Sequence, residues 1–558
     1  MKPLNMTSLF CLTLTLFTAC KKEEAANHAP ENARLTAVTK STDPFVVEFT
    51  ATASDVDGDV LQYDWNFGNG TQKKGQATET AAFELDKEYL IIVKISDGKA
   101  APLEARVGVN TKTSSVTIDY SKSFQTIAGF GAFGAQNVPW SDGPFTSPAF
   151  VDMLVNDLGT SIVRDEVPTN FEYVNDNNDP KVTDLSKYNI TKDYPGTHRH
   201  LGTRLPFFKE MKAANPEVKF IASVWSPPAW MKNNNALTNG TNENSAPNYN
   251  PNPTTSSNQL KVEMYEEFAE MCVAYIRVLK RETGIDLYAF SIQNEPRFSQ
   301  SYQSCIYNGA AMRDVMKVVG KRFKDEGIKT LLFLPEDIGW LGGVEGMIKP
   351  TLDDPDARQY VGAVAVHGYD LDGIKPNSPS ATTWNTMYNW GAPYNLPLWM
   401  TETSGYKNDW NGAMDLAKAI YTALRHGNVS AWVFWAMSEP TINEYNLVSS
   451  SLQKSKRYYT SKQFYKFVRP DAVRVEAAST DENVVVVAFK HPVTNKTTII
   501  LLNVGSSDKL MRVKGAGLPT ELEAYRSSAT EDCKAVGAFN SEKLLVLPAN
   551  SVTTLYSK

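Results

Sequence analysis

Short alternating runs of apolar and polar residues occupy both ends of the chain, and a different rhythm fills the middle. Between 41 and 112 the runs are Phe45-Val46-Val47-Glu48-Phe49, Leu61-Gln62-Tyr63-Asp64-Trp65 and Tyr89-Leu90-Ile91-Ile92-Val93-Lys94-Ile95. Turns such as Asp57-Gly58-Asp59 and Gly68-Asn69-Gly70 separate them, which predicts a small all-β sandwich. From 115 to 455 short apolar strands recur between helical or long polar stretches. They are Phe124–Phe133, Ser161–Val167, Lys219–Trp225, Leu287–Gln293, Lys329–Leu334, Tyr360–His367, Leu396–Thr401 and Val429–Trp435. Val262, Tyr265, Phe268, Ala269, Cys272, Ile276 and Leu279 repeat at helical spacing. Buried strands with crossovers of this kind spell an α/β fold, a (β/α)8 TIM barrel. The Asn/Pro/Ser-rich segment Asn233–Gln259 is too long for an idle connection and is expected to decorate the open end of the barrel. From 456 to 558 β character returns in Val484–Phe489, Thr498–Leu502 and Leu544–Leu547, which predicts a second β-sandwich that the strand near 115–119 joins.

The first residues follow another logic. MKPLNMTSLFCLTLTLFTACKKEE holds one early lysine and an apolar run too short to span a bilayer. Residues 1–19 therefore read as a signal peptide, and Leu16-Phe17-Thr18-Ala19-Cys20 resembles a bacterial lipobox. That resemblance implies acylation of Cys20, a lipid-anchored tether over 20–40, and an outer-membrane lipoprotein facing the cell exterior. A plain secreted protein with an incidental Cys20 is the alternative. The membrane is met through the anchor only.

Composition narrows the chemistry. The net charge of −6 argues against a nucleic-acid partner. The 11 Trp and 24 Tyr suit sugar faces as well as cores. Cys272, Cys305 and Cys533 are widely spaced, and no Cys/His cluster has zinc-ligand spacing, so neither a metal nor another cofactor is expected. Asp55, Asp57 and Asp59 invite a calcium reading, but Asn66 stands where the loop needs its bidentate acid, so a solvated turn is expected. A monomer is expected.

In such a barrel the functional groups sit at the C-terminal strand ends. Those ends carry Gly129-Phe130-Gly131, Arg164, Trp225 with Trp230, Asn294-Glu295-Pro296, Glu336-Asp337, His367-Gly368-Tyr369, Glu402 and Trp435. Turn chemistry alone calls for Asn, Ser and Gly there, so this convergence of charged and aromatic groups on one rim is informative. Glu295 after the fourth strand faces Glu402 after the seventh, the carboxyl pair that glycoside hydrolysis requires. Pro296 is expected to hold Glu295 in extended backbone.

The Asn-Glu-Pro end of strand four and the glutamate of strand seven resemble clan A of the glycoside hydrolases. GFGAFG, SVWSPPAWMK, QNEP, VHGY, TETSG and QFYKFVRPDAVRVEA together resemble family 30. DVDGDVLQYDWNFGNG and EYLIIVKISDG resemble a PKD domain, with Asn69 where that family usually has Asp. The resemblance implies a barrel with a side β-sandwich, a retaining double displacement, Glu295 as general acid/base and Glu402 as nucleophile. It also implies that Asn294 binds the 2-hydroxyl of the sugar and that Arg164 lies beneath Glu402, a structural ion pair with Asp165 or Glu166 being the alternative. His367 and Tyr369 are expected to hold one or other glutamate, and Trp225 (or Trp230) and Trp435 to line the sugar site. Arg164, His367 and Tyr369 are grouped with the substrate-binding residues, and Glu336, Asp337 and Glu439 rank behind as subsite or structural acids. Among the family's substrates a neutral xylan is favoured, as an endo-β-xylanase would cleave, with β-1,6-glucan or β-1,6-galactan next. The loop after strand eight, Ser438-Glu439-Pro440-Thr441-Ile442-Asn443-Glu444-Tyr445, lacks the cation that a glucuronate needs. A non-catalytic glycan-binding lipoprotein is the rival from another class.

Overall fold

A computed structural model describes residues 27–134, 143–240, 248–249, 257–338, 341–369 and 380–557. The predicted leader and Cys20 lie outside the described residues, as does most of Asn233–Gln259. The chain divides into two units, Met1–Lys112 and Thr113–Lys558.

In the first unit a three-stranded sheet (Glu31–Thr42, Phe45–Ser54, Thr78–Ala82) and a four-stranded sheet (Gln72–Gly75, Gln62–Asn66, Glu88–Ser96, Leu103–Asn110) enclose Phe49, Trp65, Phe67, Ile91 and Val93. A tether reaching residue 40 does not hold: Glu31–Thr42 pairs antiparallel with Phe45–Ser54 and belongs to the sandwich. Its polar sequence conceals it because most of it is exposed. Asp55 accepts from the amides of Asp57 and Asp59, Asp57 pairs with His28, and Asp59 pairs with Lys99. The triad caps its own turn, with Lys99 as its cation and the His28 ring beside Asp57.

In the second unit eight parallel strands close a barrel: β1 (Gly129–Phe133), β2 (Ile162–Val167), β3 (Lys219–Val224), β4 (Ala289–Ser291), β5 (Leu331–Asp337), β6 (Val361–His367), β7 (Leu398–Glu402) and β8 (Val429–Phe434). Their outward faces pack on helices such as Tyr265–Thr283, Gly309–Asp325 and Trp410–His426. The run Phe124–Phe133 is two strands rather than one. Thr113–Thr126 pairs with Val473–Ser479 and Lys509–Lys514 inside a nine-stranded sheet, and only Gly129–Phe133 enters the barrel. That sheet folds around Val116, Ile118, Val486, Leu501, Leu522 and Leu547. Lys456–Tyr465, placed by sequence at the start of the sandwich, is a helix whose Tyr465 hydroxyl donates to the Gly131 carbonyl of β1 at 3.1 Å. Gly131 is required there, since a Cβ would stand 1.7 Å from the Ile162 carbonyl oxygen. Cys272, Cys305 and Cys533 are buried free thiols. Among the described residues no helix is long and apolar enough to cross a membrane.

Candidate active site

Strand alternation builds the floor of the site. Ile162, Ile221, Phe333, Ala363, Ala365 and Trp399 fill the barrel interior. Two positions beyond Ile162 and Ala365, the same inward faces of β2 and β6 carry Arg164 and His367, both fully buried. Each occupies a layer where an apolar residue is otherwise the rule, and each is paired, as burial of charge demands.

Arg164 is the hub. Its Nη1 donates to Glu402 Oε2 at 2.5 Å, Nη2 to Asn294 Oδ1 at 2.7 Å and Nε to Ser223 Oγ at 3.2 Å. Glu336 Oε1 lies 3.1 Å from Nη2, and the guanidinium stacks 4.8 Å from the Trp225 ring centroid. A planar fork with several fixed donors ties β2 to the ends of β4, β5 and β7 as a lysine could not. Glu402 receives a second donor, the Tyr369 hydroxyl, at 2.6 Å.

Glu295 is held differently. His367 Nδ1 is 3.0 Å from its Oε1. Burial raises the Glu295 carboxyl above its ordinary range; the His367 hydrogen bond opposes this, and the charge of Glu402 adds to it. Burial disfavours the His367 cation, but Glu402, Glu295 and Glu336 outweigh it and hold the imidazole at about 10. At neutral pH both ring nitrogens therefore carry protons, with Nε2 3.7 Å from Glu336 Oε1. Burial also opposes ionisation of Glu336, yet Arg164 and His367 hold it down at about 2. One ligand-type atom each of Glu295, His367 and Glu402 lie within 4.8 Å of one another. With its ring doubly protonated, His367 serves this trio as a hydrogen-bond donor.

The backbone at the end of β4 departs from expectation. Glu295 has φ +46°, in the left-handed region, and is not extended. Its amide donates to the Glu336 carbonyl at 2.9 Å, and Glu336, at φ +52°, sits in a register shift of β5. Tertiary pairing of two strand ends overrides the local preference of a residue before proline.

Both glutamates open onto a cavity of about 320 Å³ lined also by Trp225, Asn294, Tyr302, Tyr369, Trp435 and Tyr445. Trp435 stacks on Phe133 at 4.2 Å and 19°. Arg164 and His367, grouped by sequence with the substrate contacts, line no part of this cavity and act from behind on the carboxylates. Arg164 pairs with neither Asp165 nor Glu166; Arg204 takes Asp165 at 3.0 Å. Trp230 turns away, its Nε1 donating to the Glu172 carbonyl at 3.1 Å. Glu336 and Asp337 are structural acids, Asp337 pairing with Arg297. Sequence reasoning missed Tyr302, Phe298, Ile338 and His198 in the lining. Tyr302, Ile338 and His198 stand in loops and Phe298 in a two-residue strand, all too short for periodicity, and the only available signal was the aromatic residues soon after the Asn-Glu-Pro motif.

Comparison with known proteins agrees with this geometry. The profile of the Glycosyl hydrolase family 30 TIM-barrel domain matches residues 171–467, that of the family 30 beta sandwich domain 471–555, and that of the PKD domain 27–110. Glucuronoxylanase XynC of Bacillus subtilis (strain 168) is 26% identical over 405 residues, 70% of this chain and 78% of that protein. Endo-1,6-beta-D-glucanase neg1 of Aspergillus fumigatus is 25% identical over 407 residues, 67% and 77% of the two chains. The family 30 subfamily 8 xylanase Xyn30A of Clostridium acetobutylicum superposes with a TM-score of 0.62 at 24% identity, covering 79% of this chain and 99% of the other. With the barrel profile spanning more than half of the chain around a paired-carboxyl cavity, this protein belongs to glycosyl hydrolase family 30 and is a glycoside hydrolase.

Proposed function

We propose that the enzyme cleaves a neutral β-linked polysaccharide with retention of configuration, Glu402 attacking the anomeric carbon and Glu295 serving as acid and then base. The observation that carries this reading is the spacing of the pair. Oxygens of Glu295 and Glu402 come within 4.8 Å, which supports the close pair of a retaining site, with carboxyls about 5–5.5 Å apart, over the wider pair of an inverting one. The roles divide by environment. Glu402 accepts from Arg164 and Tyr369, as a carboxylate nucleophile does. Glu295, raised by burial, keeps a proton for the departing glycosidic oxygen. That transfer leaves a glycosyl ester on Glu402; Glu295, now ionised, takes a proton from water, which attacks the anomeric carbon and frees Glu402. Asn294 Oδ1 is occupied by Arg164, so its Nδ2 is the group that donates to the 2-hydroxyl.

A neutral substrate is supported by the cavity lining, which among the described residues contains no Lys or Arg; His198 is bound at 2.8 Å to Glu166. Xylan cleaved internally is the first reading. A β-1,6-glucan or β-1,6-galactan is the second, supported by the 25% identity to an endo-1,6-beta-D-glucanase. Proton NMR of the first-formed product is expected to show the β-anomer; an α-product removes the retaining assignment. Product analysis on xylan, β-1,6-glucan and β-1,6-galactan side by side then selects the glycan. We propose as well that Cys20 is acylated and anchors the protein in the outer membrane facing the cell exterior, in which case mass spectrometry of the exported protein finds a lipidated Cys20 at the amino terminus.

A further inference from the structure

Behind the paired glutamates a third carboxylate sits where no sugar reaches. Glu336, at the end of β5, is fully buried and lines no part of the catalytic cavity. Its Oε1 lies 3.1 Å from Arg164 Nη2 on one side and 3.7 Å from His367 Nε2 on the other. Neither oxygen of Glu336 has a hydrogen-bond partner, and nor does His367 Nε2. Charge on two sides therefore holds this carboxylate in place. The same two cations reach forward to the paired glutamates. Arg164 Nη1 donates to Glu402 Oε2 at 2.5 Å, and His367 Nδ1 stands 3.0 Å from Glu295 Oε1.

A buried group of charges is tolerated only when its signs balance. The ionisable groups joined to Glu336 directly or through its two cations come from four strands. They are Arg164 of β2, Glu295 past the end of β4, His367 of β6 and Glu402 of β7. Tyr369 is a neutral phenol, since burial and the charge of Glu402 oppose its ionisation. Asp337, next in the chain, forms a separate pair with Arg297. Arg164 and His367 bring two positive charges. With Glu295 protonated, Glu402 brings one negative charge, and Glu336 supplies the other. The sum is zero.

The first displacement moves charge without changing that sum. The anomeric carbon leaves the glycosidic oxygen for Glu402, which becomes a neutral ester. The proton of Glu295 goes to the departing oxygen, and Glu295 becomes the anion. In the second displacement water gives its hydroxyl to the anomeric carbon and its proton to Glu295, and Glu402 is freed as the carboxylate. One negative charge thus passes from one glutamate to the other and back, while Glu336 stays charged throughout.

We infer that Glu336 is a positioning residue of the acid/base cycle, a fixed counter-ion that keeps the buried site at one net charge through both displacements and lets Glu295 hold its proton until the glycosidic oxygen takes it. This role rests on those proposed for Glu295 and Glu402. Arg164 and His367 keep Glu336 ionised, against its burial, at about 2, far below the range in which Glu295 works. Without Glu336, two cations would face a single anion, and Glu295 would give up its proton sooner. His367 would remain a cation meanwhile, because Glu295 at 3.0 Å and Glu402 at 4.0 Å still flank its Nδ1.

The pH profile of kcat/KM on a polysaccharide tests this. Glu336→Gln removes the charge and keeps the shape, so the alkaline limb, which reports loss of the Glu295 proton, should move down by about one pH unit. Removal of the His367 cation moves the same limb up. Glu336→Asp keeps the charge and should keep the limb near its wild-type position. Glu336→Gln combined with His367→Gln removes one anion and one cation together, so its limb should return toward the wild type. That balanced variant carries the test if Glu336→Gln alone does not fold. A Glu336 that only held the fold would lower activity or stability and leave the limb where it was. An unmoved or raised limb in Glu336→Gln overturns the role, as does a double variant whose limb follows His367→Gln upward. Either failure leaves the β-product of the wild type intact, whereas an α-product would remove the roles of Glu295 and Glu402 and that of Glu336 with them.

Discussion

The ends of β4 and β7 each present a glutamate to one cavity, and the protein treats the two in opposite ways. Glu402 closes a regular strand and accepts from a buried guanidinium and a tyrosine hydroxyl. Glu295 stands on left-handed backbone past the end of its strand, with one imidazolium beside it and apolar burial elsewhere. Identical side chains a few ångströms apart thus meet opposite surroundings, and those of Glu295 raise its carboxyl above the ordinary range. The buried charges behind them, Arg164, Glu336 and His367, build those surroundings.

The bluntest way to break the contrast is to remove one member at a time. Glu402→Gln keeps the shape and hydrogen-bonding reach but cannot form the covalent intermediate, so turnover should fall about 10⁴-fold or more. Steady-state rates of Glu402→Ala with azide added provide the check: an external nucleophile in the vacated space should restore product as the α-glycosyl azide. Glu295→Gln should cost less, about 10²–10⁴-fold on a polysaccharide. Its loss should shrink sharply with an aryl glycoside whose leaving group needs no proton. If both variants respond alike to leaving group and azide, the division of roles is wrong.

That division was partly legible in the sequence, for physical reasons. Buried parallel strands are near-continuous apolar runs, so the barrel announced itself, and Asn294, Glu295 and Glu402 stood out because charge at such strand ends has no packing explanation. The pattern could not show where a run leaves one sheet for another. Ile127 bonds to Ala472 of the sandwich side and Ala128 to Ser430 of the barrel, yet both are small apolar steps in one stretch. Nor could it assign His367 to Glu295 and Tyr369 to Glu402, because the two are neighbours in sequence and diverge only in space. The left-handed Glu295 was hidden most deeply, since its cause, the bond to the Glu336 carbonyl, is wholly tertiary.

A finer cut leaves both glutamates in place and removes one donor. Tyr369→Phe deletes the hydroxyl that meets Glu402 Oε1 while Arg164 still holds Oε2. A hydrogen bond to a charged group is worth about 1.5–3 kcal/mol, so kcat/KM should fall about 10- to 100-fold without change in leaving-group sensitivity. A loss confined to KM would mean that the hydroxyl serves ground-state binding of the sugar instead.

The smallest expected effect tests the other glutamate, and its signature is a shifted pH profile. The alkaline limb of kcat/KM reports loss of the acid form of Glu295. His367, a cation up to about 10, lowers the Glu295 carboxyl toward its ordinary range by hydrogen bond and charge. In His367→Gln the amide can still donate, but the positive charge is gone. Glu295 then holds its proton more tightly, and the alkaline limb should move to higher pH with only a modest fall at the optimum. A stability readout has its own sign. The folded-state value of His367 lies above its ordinary 6.5, so its contribution is complete below 6.5 and is lost as pH rises toward 10. The wild-type melting temperature should therefore carry a decline across that window that His367→Gln lacks. An alkaline limb that stays put or moves down would mean that Glu295 takes its proton affinity from burial alone, and that His367 serves Glu336 instead.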